Sequence, residues 1–450
     1  MKIAVEGCCH GELDKIYAAM KHLEEKEAIK IDLLICCGDF QAVRNLNDLE
    51  CMSVPNKYKT LGTFHKYYSG EVVAPYPTLF IGGNHEASNY LWELYYGGFV
   101  APNIYYTGHS GVINFGDLRI GGLSGIYKSH DFNKPHYERP PYRNNEVKSA
   151  YHVRRFDVEK LAQITENLDV FLSHDWPRNI AKNGNTNQLI KKKPFLASEI
   201  ADQSLGSPPA EELLYKLKPA FWFSAHLHVK FAAVVEHSDD GETKKTASSN
   251  EPSKTKRTTK FLALDKCLPK RDFMQIIDFP DKKSEGGFWL DHEWLSILKA
   301  NHDRHGVGVN QSVGRGEDAS VHRQWVDAKL SRASNERNPP PEFEATAPAH
   351  DLSDRRKPGQ GTAPIGVTRN PQTVKLLDML ELDFKLDAPV NGNNQNNRGG
   401  GSGYPPPPST TTTYSIPRDG PFGTLQPPRN LPPPPRVQDT NEISLGSDDE

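Results

Sequence analysis

Short apolar runs alternate with amphipathic stretches through the first 280 residues of the chain. A short apolar run is typical of a buried strand, whereas apolar residues that recur every three to four positions form one face of a helix. Strands are therefore predicted at residues 2–6, 31–37, 78–81, 170–172 and 221–224. Helices are predicted at residues 13–25, 90–95 and 157–164.

A hairpin and three later strands complete this pattern. Residues 112–115 and 119–122 are apolar and flank Gly116 and Asp117, a pair that favours a tight turn. Further strands are predicted at residues 231–235, 261–264 and 275–277. Strands and helices in this order indicate an α/β fold built in layers.

Shifts in composition divide the chain into segments. Residues 238–259 are polar and rich in Lys and Ser, which is typical of a flexible surface loop. Beyond residue 338 the chain is rich in Pro, Asn, Gly and Thr, and residues 391–450 are predicted to be disordered. The apolar spacing at residues 374–382 is an exception, and it predicts a short helix that docks on the body or on a partner.

Charge, cysteines and hydropathy add three constraints. The net charge is -3 and the pI is near 6.6, so any nucleic-acid contact must come from a local basic patch. Six cysteines, with adjacent pairs at positions 8–9 and 36–37, do not resemble a secreted disulfide framework. The chain begins with a strand rather than a signal peptide and has no run of about 18 apolar residues, so we expect a soluble, intracellular protein with reduced thiols.

Polar residues that can bind metal ions follow four of the predicted strands. They are Asp39, Asn84, His174 and His226. Because open α/β sheets gather ligands at the carboxyl ends of their strands, we expect these loops to converge on one cleft. Imidazole and carboxylate groups suit divalent ions such as Zn²⁺, Fe²⁺ and Mn²⁺, and a shared carboxylate can hold two ions about 3.5 to 4 Å apart.

The wider motifs resemble those of a known family. In chain order they are Cys8-x-His10, Gly38-Asp39, Gly83-Asn84-His85-Glu86, Ser173-His174-Asp175 and His226-x-His228. This set is similar to that of the calcineurin-like metallophosphoesterases, whose first motif is usually Asp-x-His. With a cysteine at position 8, the chain resembles the RNA lariat debranching enzymes from residue 1 to about 237, and more weakly at residues 370–373.

The resemblance implies a fold and a division of the chain. The expected fold is a metallophosphoesterase-type αββα sandwich of the α/β class, with a smaller C-terminal extension and a disordered tail. Residues 1–237 would form the catalytic domain, and residues 238–300 the polar insert and the closing strands. Residues 301–390 would form a partly ordered C-terminal region, followed by the Pro-, Asn- and Gly-rich tail at residues 391–450.

The resemblance also implies two metal sites that share Asp39. The first would consist of Cys8, His10, Asp39 and His228. The second would consist of Asp39, Asn84, His174 and His226. One or two ions of Fe²⁺, Zn²⁺ or Mn²⁺ would be bound per active site. His85, beside Asn84, is the expected general acid.

The activity implied by the resemblance is hydrolysis of the 2′-5′ phosphodiester at the branch point of excised intron lariats. The products would be a 5′-phosphate and a free 2′-hydroxyl. Branched intron RNA is therefore the expected partner, and the C-terminal tail is a candidate contact for splicing or RNA-turnover proteins. No DNA or membrane partner is expected. Because introns are excised in the nucleus, we expect the protein there, with shuttling to the cytoplasm left open.

Residues 124–155 resemble the lariat recognition loop of debranching enzymes. They combine aromatic, basic and polar residues between a strand and a helix. Unpaired bases at a branch can stack on aromatic rings while cations meet the phosphates. The expected RNA contacts are Tyr127, Lys128, His130, Phe132, Tyr137, Arg139, Tyr142 and Arg143.

Two other interpretations remain open. A generic phosphomonoesterase or cyclic-nucleotide phosphodiesterase would share the fold, but it would prefer aspartate at position 8 and would not need residues 124–142. A non-catalytic scaffold would have eroded motifs, whereas His85, His226 and His228 are all present. Each residue taken singly also has a structural explanation: Cys8 could be a small buried residue, and the aromatic loop could merely cover the core.

Overall fold

The computed structural model describes residues 1–237, 257–304, 318–331 and 337–388. The polar insert predicted at residues 238–259 lies almost wholly outside the described residues. The tail predicted at residues 391–450 lies outside them as well. All of the candidate site residues fall within the described segments.

Ten of the thirteen strands in the described segments coincide with predicted apolar runs, and the other three, at residues 98–101, 104–106 and 288–290, were not predicted. In chain order the strands are β1 (Lys2–Glu6), β2 (Leu33–Cys36), β3 (Thr78–Phe80), β4 (Gly98–Ala101), β5 (Ile104–Tyr106), β6 (Ser110–Phe115), β7 (Leu118–Leu123), β8 (Val170–Ser173), β9 (Phe221–Ser224), β10 (Phe231–Glu236), β11 (Thr258–Ala263), β12 (Met274–Asp278) and β13 (Phe288–Leu290). The predicted hairpin is confirmed, because β6 and β7 pair antiparallel along their whole length. Its turn contains Gly116, whose φ of 53° is a left-handed conformation that glycine adopts without steric cost.

The strands form two sheets. One has the order β12-β1-β2-β3-β5-β4, and the other has the order β10-β11-β9-β8-β7-β6-β13. The central strands of each sheet run parallel, whereas the outer strands pair antiparallel with their neighbours. Parallel central strands bring their carboxyl ends to one edge of a sheet, and the loops with the polar motifs start there.

The first two strands show why the sheets form two inner layers. Ile3 and Val5 face a core that also contains Ile120 and Leu172 of the other sheet, whereas Ala4 belongs to a core shared with the first helix. Successive side chains of a strand face opposite sides, so an apolar residue at every position buries both faces of the strand. The predicted αββα sandwich is confirmed.

Helices cover the outer faces of the sheets. Those in the described segments are α1 (Leu13–Glu27), α2 (Phe64–Tyr68), α3 (Ser88–Glu93), α4 (Ser129–Phe132), α5 (Glu146–Ser149), α6 (Arg155–Leu161), α7 (Thr186–Lys192), α8 (Ala197–Ala201), α9 (Pro208–Leu217), α10 (His292–Asn301), α11 (Ala319–Ser331) and α12 (Pro371–Met379). The helices predicted at residues 13–25, 90–95 and 157–164 are confirmed as α1, α3 and α6. α1 buries Leu13, Ile16 and Met20, the spacing that one face of a helix requires.

Both sheets extend past residue 237. β11 lies between β10 and β9, β12 pairs with β1 over five residues, and β13 pairs with β6. The boundary expected at residue 237 therefore falls between two neighbouring strands of one sheet. Strands from the closing part of the chain complete the sandwich around the site.

Residues 337–388, called here the C-terminal segment, pack on this body at several separate points. The Thr346 hydroxyl accepts a hydrogen bond from Arg44, and the Gly366 amide donates one to the carbonyl of Pro140. The helix predicted at residues 374–382 is present as α12, which begins and ends three residues earlier. It begins there because the Asn370 side chain caps it and Pro371 occupies its first position.

All six cysteines lie in described segments, where they are buried and form no disulfide. Cys36 and Cys9 belong to the core beneath α1, as expected for packing residues. Among the described helices, none has the length and apolar character needed to cross a membrane.

Candidate metal centre

The convergence predicted for the polar motifs is confirmed, because five loops meet at the carboxyl edges of the two sheets. The loops after β1, β2 and β3 belong to one sheet, and those after β8 and β9 belong to the other. Their candidate residues are Cys8 and His10, Asp39, Asn84 and His85, His174, and His226 and His228.

Four of the predicted ligands form one compact group. Cys8, His10, Asp39 and His228 each offer a donor atom, and these atoms all lie within 4.8 Å of one another. His10 Nε2 is 3.3 Å from His228 Nε2 and 3.7 Å from Asp39 Oδ2. One thiol, two imidazoles and one carboxylate form a donor set that suits Zn²⁺ or Fe²⁺.

The remaining predicted ligands lie on the other side of Asp39. His174 Nε2 is 3.4 Å from Asp39 Oδ1 and 3.3 Å from Asn84 Oδ1. The His226 ring lies 5.0 Å from the His174 ring, measured between centroids. The two oxygens of Asp39 thus face different groups, which is the arrangement that a shared carboxylate requires.

The backbone of this site is strained at several candidate ligands. His10, Asp39, His226 and His228 have φ values of 47°, 47°, 66° and 49°. Left-handed conformations cost non-glycine residues free energy and persist where the surrounding structure imposes them, most often at functional sites. The strained backbone aims these four side chains into the cleft.

Neighbouring groups fix the orientation of the imidazoles. His174 Nδ1 donates to the carbonyl of Cys37 at 2.8 Å, which turns Nε2 toward Asp39 and Asn84. The side-chain amide of Gln41 lies 3.2 Å from His10 Nδ1. Such outer partners hold metal-binding histidines in one tautomer and one orientation.

Glu86 joins two of the converging loops. Its buried carboxylate accepts hydrogen bonds from the amides of Phe40, Gln41 and Gly83, at 2.8 to 2.9 Å. Burial raises the pKa of Glu86 to about 7, and the charge of Asp39 adds to this shift. The loop after β2 is therefore tied to the loop after β3 directly behind Asp39.

The electrostatics of the site favour metal binding. Burial lowers the pKa of His10 to about 4 and that of His228 to about 3, so both imidazoles are neutral near pH 7. Burial alone would raise the pKa of Asp39, but the histidines around it, chiefly His174, hold this pKa well below its usual range. Burial and the nearby Asp39 raise the pKa of the Cys8 thiol. Two neutral imidazoles and a carboxylate are ready to bind, whereas Cys8 must lose its proton to the incoming ion.

Gly83 leaves the space that Asp39 occupies. A Cβ atom at position 83 would lie 2.3 Å from Asp39 Oδ1 and 2.4 Å from Asp39 N. We expect Gly83→Ala to displace Asp39 and to weaken metal binding by about 10 to 100-fold, the range seen when support of a ligand is lost. Titration with Zn²⁺ measures the change in affinity.

Gly82→Ala is the matched control for this substitution. A Cβ atom at position 82 would meet only side chains, the nearest being Leu91 at 3.2 Å. Zinc affinity should stay close to that of the unaltered protein. Equal losses in the two variants would show that the space beside Asp39 is not the cause.

His85, the predicted general acid, lies at the mouth of this centre. Its amide donates to Asp39 Oδ1 at 2.8 Å, so its backbone is fixed on the shared carboxylate. Its ring is half-buried and meets the His10 ring edge-on, with 5.2 Å between the centroids. The side chain is thus held beside the ligand group but does not belong to the four-atom cluster.

The predicted recognition loop borders the His226 side of the centre. The Tyr127 amide donates to Asp175 Oδ2 at 3.1 Å, next to His174. Burial lowers the pKa of His226, and the charge of Lys128 contributes to this shift, so Lys128 lies near the centre. Residues 124–155 therefore begin at the cleft, as the sequence predicts.

The eight predicted RNA contacts differ in exposure. Lys128, His130 and Arg143 are exposed, whereas the side chains of five others are half-buried, namely Tyr127, Phe132, Tyr137, Arg139 and Tyr142. The Arg139 guanidinium lies over the Trp92 ring at 4.5 Å and donates to the carbonyl of Glu138. Arg139 thus braces this loop in the present conformation, whereas the three exposed side chains reach into solvent.

Sequence reasoning assigned no role to several residues of the centre. Gln41 and Glu86 support it through the contacts described above, and Asp175 anchors the recognition loop. Glu86 is the last residue of the motif that begins at Gly83, and Gln41 lies two residues after Asp39, so their place in or near a motif was the only available signal. Lys266 lies close to His10 and His228 in the folded chain, and its charge helps to lower the pKa of both. In the sequence it is more than 200 residues away from β1 and β2, after which the first two motifs begin.

A two-sheet sandwich with this donor set at its carboxyl edge defines a metallophosphoesterase. In agreement, the profile of the calcineurin-like phosphoesterases matches residues 1–230, and the profile described as the lariat debranching enzyme C-terminal domain matches residues 256–385. The chain belongs to the lariat debranching enzyme family.

Relatives from animals and plants support this assignment. Lariat debranching enzyme A of Xenopus laevis is 56% identical over 326 residues, which cover 72% of this chain and 59% of that protein. The lariat debranching enzyme of Arabidopsis thaliana is 48% identical over 394 residues, which cover 87% of this chain and 89% of that protein. That of Homo sapiens is 47% identical over 398 residues, which cover 86% of this chain and 70% of that protein. The chain thus spans less than two thirds of the length of the Xenopus relative.

Proposed function

We propose that this chain hydrolyses the 2′-5′ phosphodiester at the branch point of lariat RNA and thereby converts the lariat to a linear strand. The observation that carries the proposal is the similarity to lariat debranching enzymes over 87% of the chain, which includes both the phosphoesterase body and the C-terminal segment. A generic phosphoesterase would share only the body.

In this proposal, metal binding and proton donation belong to different residues of the centre. Cys8, His10, Asp39 and His228 would hold one divalent ion, and Asp39 with Asn84, His174 and His226 would hold a second. Bound ions supply Lewis-acid activation of the phosphate and of a water molecule. His85 stands beside this group and donates a proton to the departing 2′-oxygen, which is a poor leaving group without it.

The exposed part of the recognition loop supplies the RNA contacts in this proposal. Lys128 and Arg143 would meet phosphates, and His130 would stack on an unpaired base. Because introns are excised in the nucleus, we place the activity there. Splicing or turnover proteins would engage the tail at residues 391–450, which lies outside the described residues.

We propose Zn²⁺ or Fe²⁺ for the site that contains Cys8, and Zn²⁺, Fe²⁺ or Mn²⁺ for the second. A thiolate is a softer ligand than a carboxylate and favours Zn²⁺ and Fe²⁺ over harder ions. Cys8 is fully buried, and its sulfur accepts a hydrogen bond from the His226 amide at 3.3 Å. This contact holds the sulfur within the ligand group.

Cys8→Asp tests the proposed metal preference. We expect the ratio of the affinities for Zn²⁺ and Mn²⁺ to fall about 10-fold or more, because a hard oxygen replaces the soft sulfur. Competitive titration of the two ions measures this ratio. Cys9→Ala is the control, since Cys9 packs beneath α1 and its loss should leave the ratio unchanged. A ratio that Cys8→Asp does not alter would mean that the thiol has no part in metal selection.

Three substrates test the proposed function itself. The full chain, loaded with Fe²⁺, Zn²⁺ or Mn²⁺ in separate reactions, is incubated with a 2′-5′ branched RNA, a linear 3′-5′ RNA and a small aryl phosphate. Cleavage of the branched RNA alone, or far faster than of the other two, is the expected result. Cleavage of the aryl phosphate without cleavage of the branched RNA would overturn the proposal and favour a generic phosphoesterase.

A further inference from the structure

A second group of cations lies near His10 and His228, whereas the recognition loop reaches the metal centre beside His226. The segment after β11 runs beside the first motif: Cys8 N donates to the carbonyl of Asp265 at 3.3 Å, and Cys267 N donates to the carbonyl of Cys8 at 3.2 Å. These two hydrogen bonds flank Lys266, which forms an isolated bridge with Cys8. Lys266 is therefore fixed at the edge of the ligand group.

Two further cations join Lys266 around a single carboxylate. Arg271 Nη1 is 3.6 Å from Asp265 Oδ2, and the Lys193 ammonium interacts with Asp265, Arg271 and Lys266. Three positive charges thus face one negative charge. Asp265 is buried, whereas Arg271 is exposed and both lysines are partly so. The surface that they share is positively charged although the whole chain is not.

An exposed aromatic ring completes this surface. Phe195 lies between Pro194 and Leu196, leaves 68% of its area in contact with solvent, and has its ring 5.9 Å from Lys193 Nζ. A single exposed ring is common on protein surfaces, and Phe195 gains its significance from the cations beside it. A basic groove with an aromatic ring is the combination that holds single-stranded nucleic acid, because phosphates meet the cations while a base stacks on the ring.

The position of this surface matters for a branched substrate. The recognition loop approaches the centre from His226 and Asp175, whereas Lys266 lies near His10 and His228. Three strands leave the branch nucleotide, and a loop on one side of the cleft cannot hold all of them. A strand that leaves on the other side would pass over the cations.

We propose that Lys193, Phe195, Lys266 and Arg271 form a second RNA-binding surface, which holds one strand leading away from the branch point. This inference rests on the proposed debranching function. It assigns to these residues the binding of the strand rather than the chemical step. The surface therefore contributes to substrate affinity and leaves the reaction at a small phosphodiester unchanged.

The test removes the charge and the ring separately. One variant of the full chain combines Lys193→Gln, Lys266→Gln and Arg271→Gln, and a second carries Phe195→Ala. The control combines Lys21→Gln, Lys26→Gln and Lys30→Gln, an equal loss of charge at exposed positions on α1 and just after its end. Substrates are a branched RNA with three arms of about ten nucleotides, roughly one binding surface each, and three versions that each lack one arm.

We expect trimming one particular arm to raise the KM of the unaltered chain. In the triple-charge variant the KM for the complete substrate should rise by about 10-fold or more, and trimming that arm should have no further effect. Fluorescence anisotropy measures how the logarithm of the binding constant falls with the logarithm of the salt concentration. The slope of this line should become less steep by about 2, since each of three single-strand phosphate contacts contributes about 0.7. Phe195→Ala should raise KM without changing the slope, and because Phe195 lies outside the ligand group of the metal centre, the turnover of bis(para-nitrophenyl) phosphate by this variant should not change.

Three results would overturn the inference. These are an unchanged KM and salt slope in the triple-charge variant, an equal loss in the control, and a loss by Phe195→Ala on the small phosphodiester that equals its loss on branched RNA. Failure of the proposed function is separate, because then the unaltered chain would not cleave branched RNA at all. The anisotropy measurement needs no cleavage and reports on the surface in either case.

Discussion

Replacing His85 by alanine should lower kcat for branched RNA by about 10² to 10⁴-fold, the usual contribution of a general acid. The metal content should not change, because His85 lies outside the four-atom ligand cluster and is held through its backbone amide. Turnover is measured on branched RNA at saturating concentration, and bound metal is measured by elemental analysis of the same samples.

A change of leaving group shows whether proton donation is the cause. The 2′-oxygen of RNA needs a proton as it departs, whereas para-nitrophenolate is a stable anion that leaves without one. His85→Ala should therefore lose far less activity on bis(para-nitrophenyl) phosphate than on branched RNA. His22→Ala, at an exposed position on α1, is the control and should match the unaltered chain on both substrates. Equal losses on the two substrates, or a loss of metal, would give His85 a role in positioning or ligation instead.

Replacing Arg44 by methionine should lower the free energy of unfolding by about 3 to 5 kcal/mol, because it leaves buried charges without a partner. Arg44 Nε and Nη2 donate to the two oxygens of Asp48 at 2.8 and 2.9 Å, and Nη1 donates to Glu93 at 2.9 Å. The guanidinium also lies 4.0 Å from the centre of the Tyr90 ring. Urea denaturation of the two proteins measures the difference.

Two further variants separate the charge effect from the loss of a large side chain. Arg143→Met removes an arginine whose side chain is 84% exposed, and it should change stability by less than about 0.5 kcal/mol. Adding Asp48→Asn and Glu93→Gln to Arg44→Met should recover part of the loss, because the unpaired carboxylates are then gone. A loss below about 1 kcal/mol for Arg44→Met would mean that water or rearrangement compensates the two carboxylates.

Local patterns were enough to predict layers of the α/β class and the converging motifs, whereas the sandwich was implied by the family resemblance. The apolar runs of β2 and β8 end within three residues of Asp39 and at the residue before His174, and parallel strands in one sheet must bring such ends to the same edge. The resemblance also implied the expected ligand groups, and the structure places the donor atoms of Cys8, His10, Asp39 and His228 together. Their binding of metal stays a prediction.

Contacts between distant parts of the chain had no local signal. Arg44 looked like an ordinary polar residue after a motif, and only the folded chain shows that Asp48, Glu93 and Thr346 surround it. The same holds for Lys266, whose place beside Cys8 depends on how β11 enters the second sheet. Eight of the twelve helices in the described segments were missed, and two of these, α9 and α10, carry start signals in the sequence, since Ser207 and Asp291 cap them.

The contact between Arg44 and Thr346 can form only late in the synthesis of the chain. The two residues are 302 positions apart, so a ribosome that adds about 5 to 20 residues per second needs roughly 15 to 60 s to travel from one to the other. During that time the emerging chain already carries Cys8, His10 and Asp39. A messenger RNA with a premature stop codon just before position 337 would likewise encode every candidate metal ligand and none of the C-terminal segment. Premature termination there would leave the candidate ligands in place and remove the Thr346 contact with Arg44.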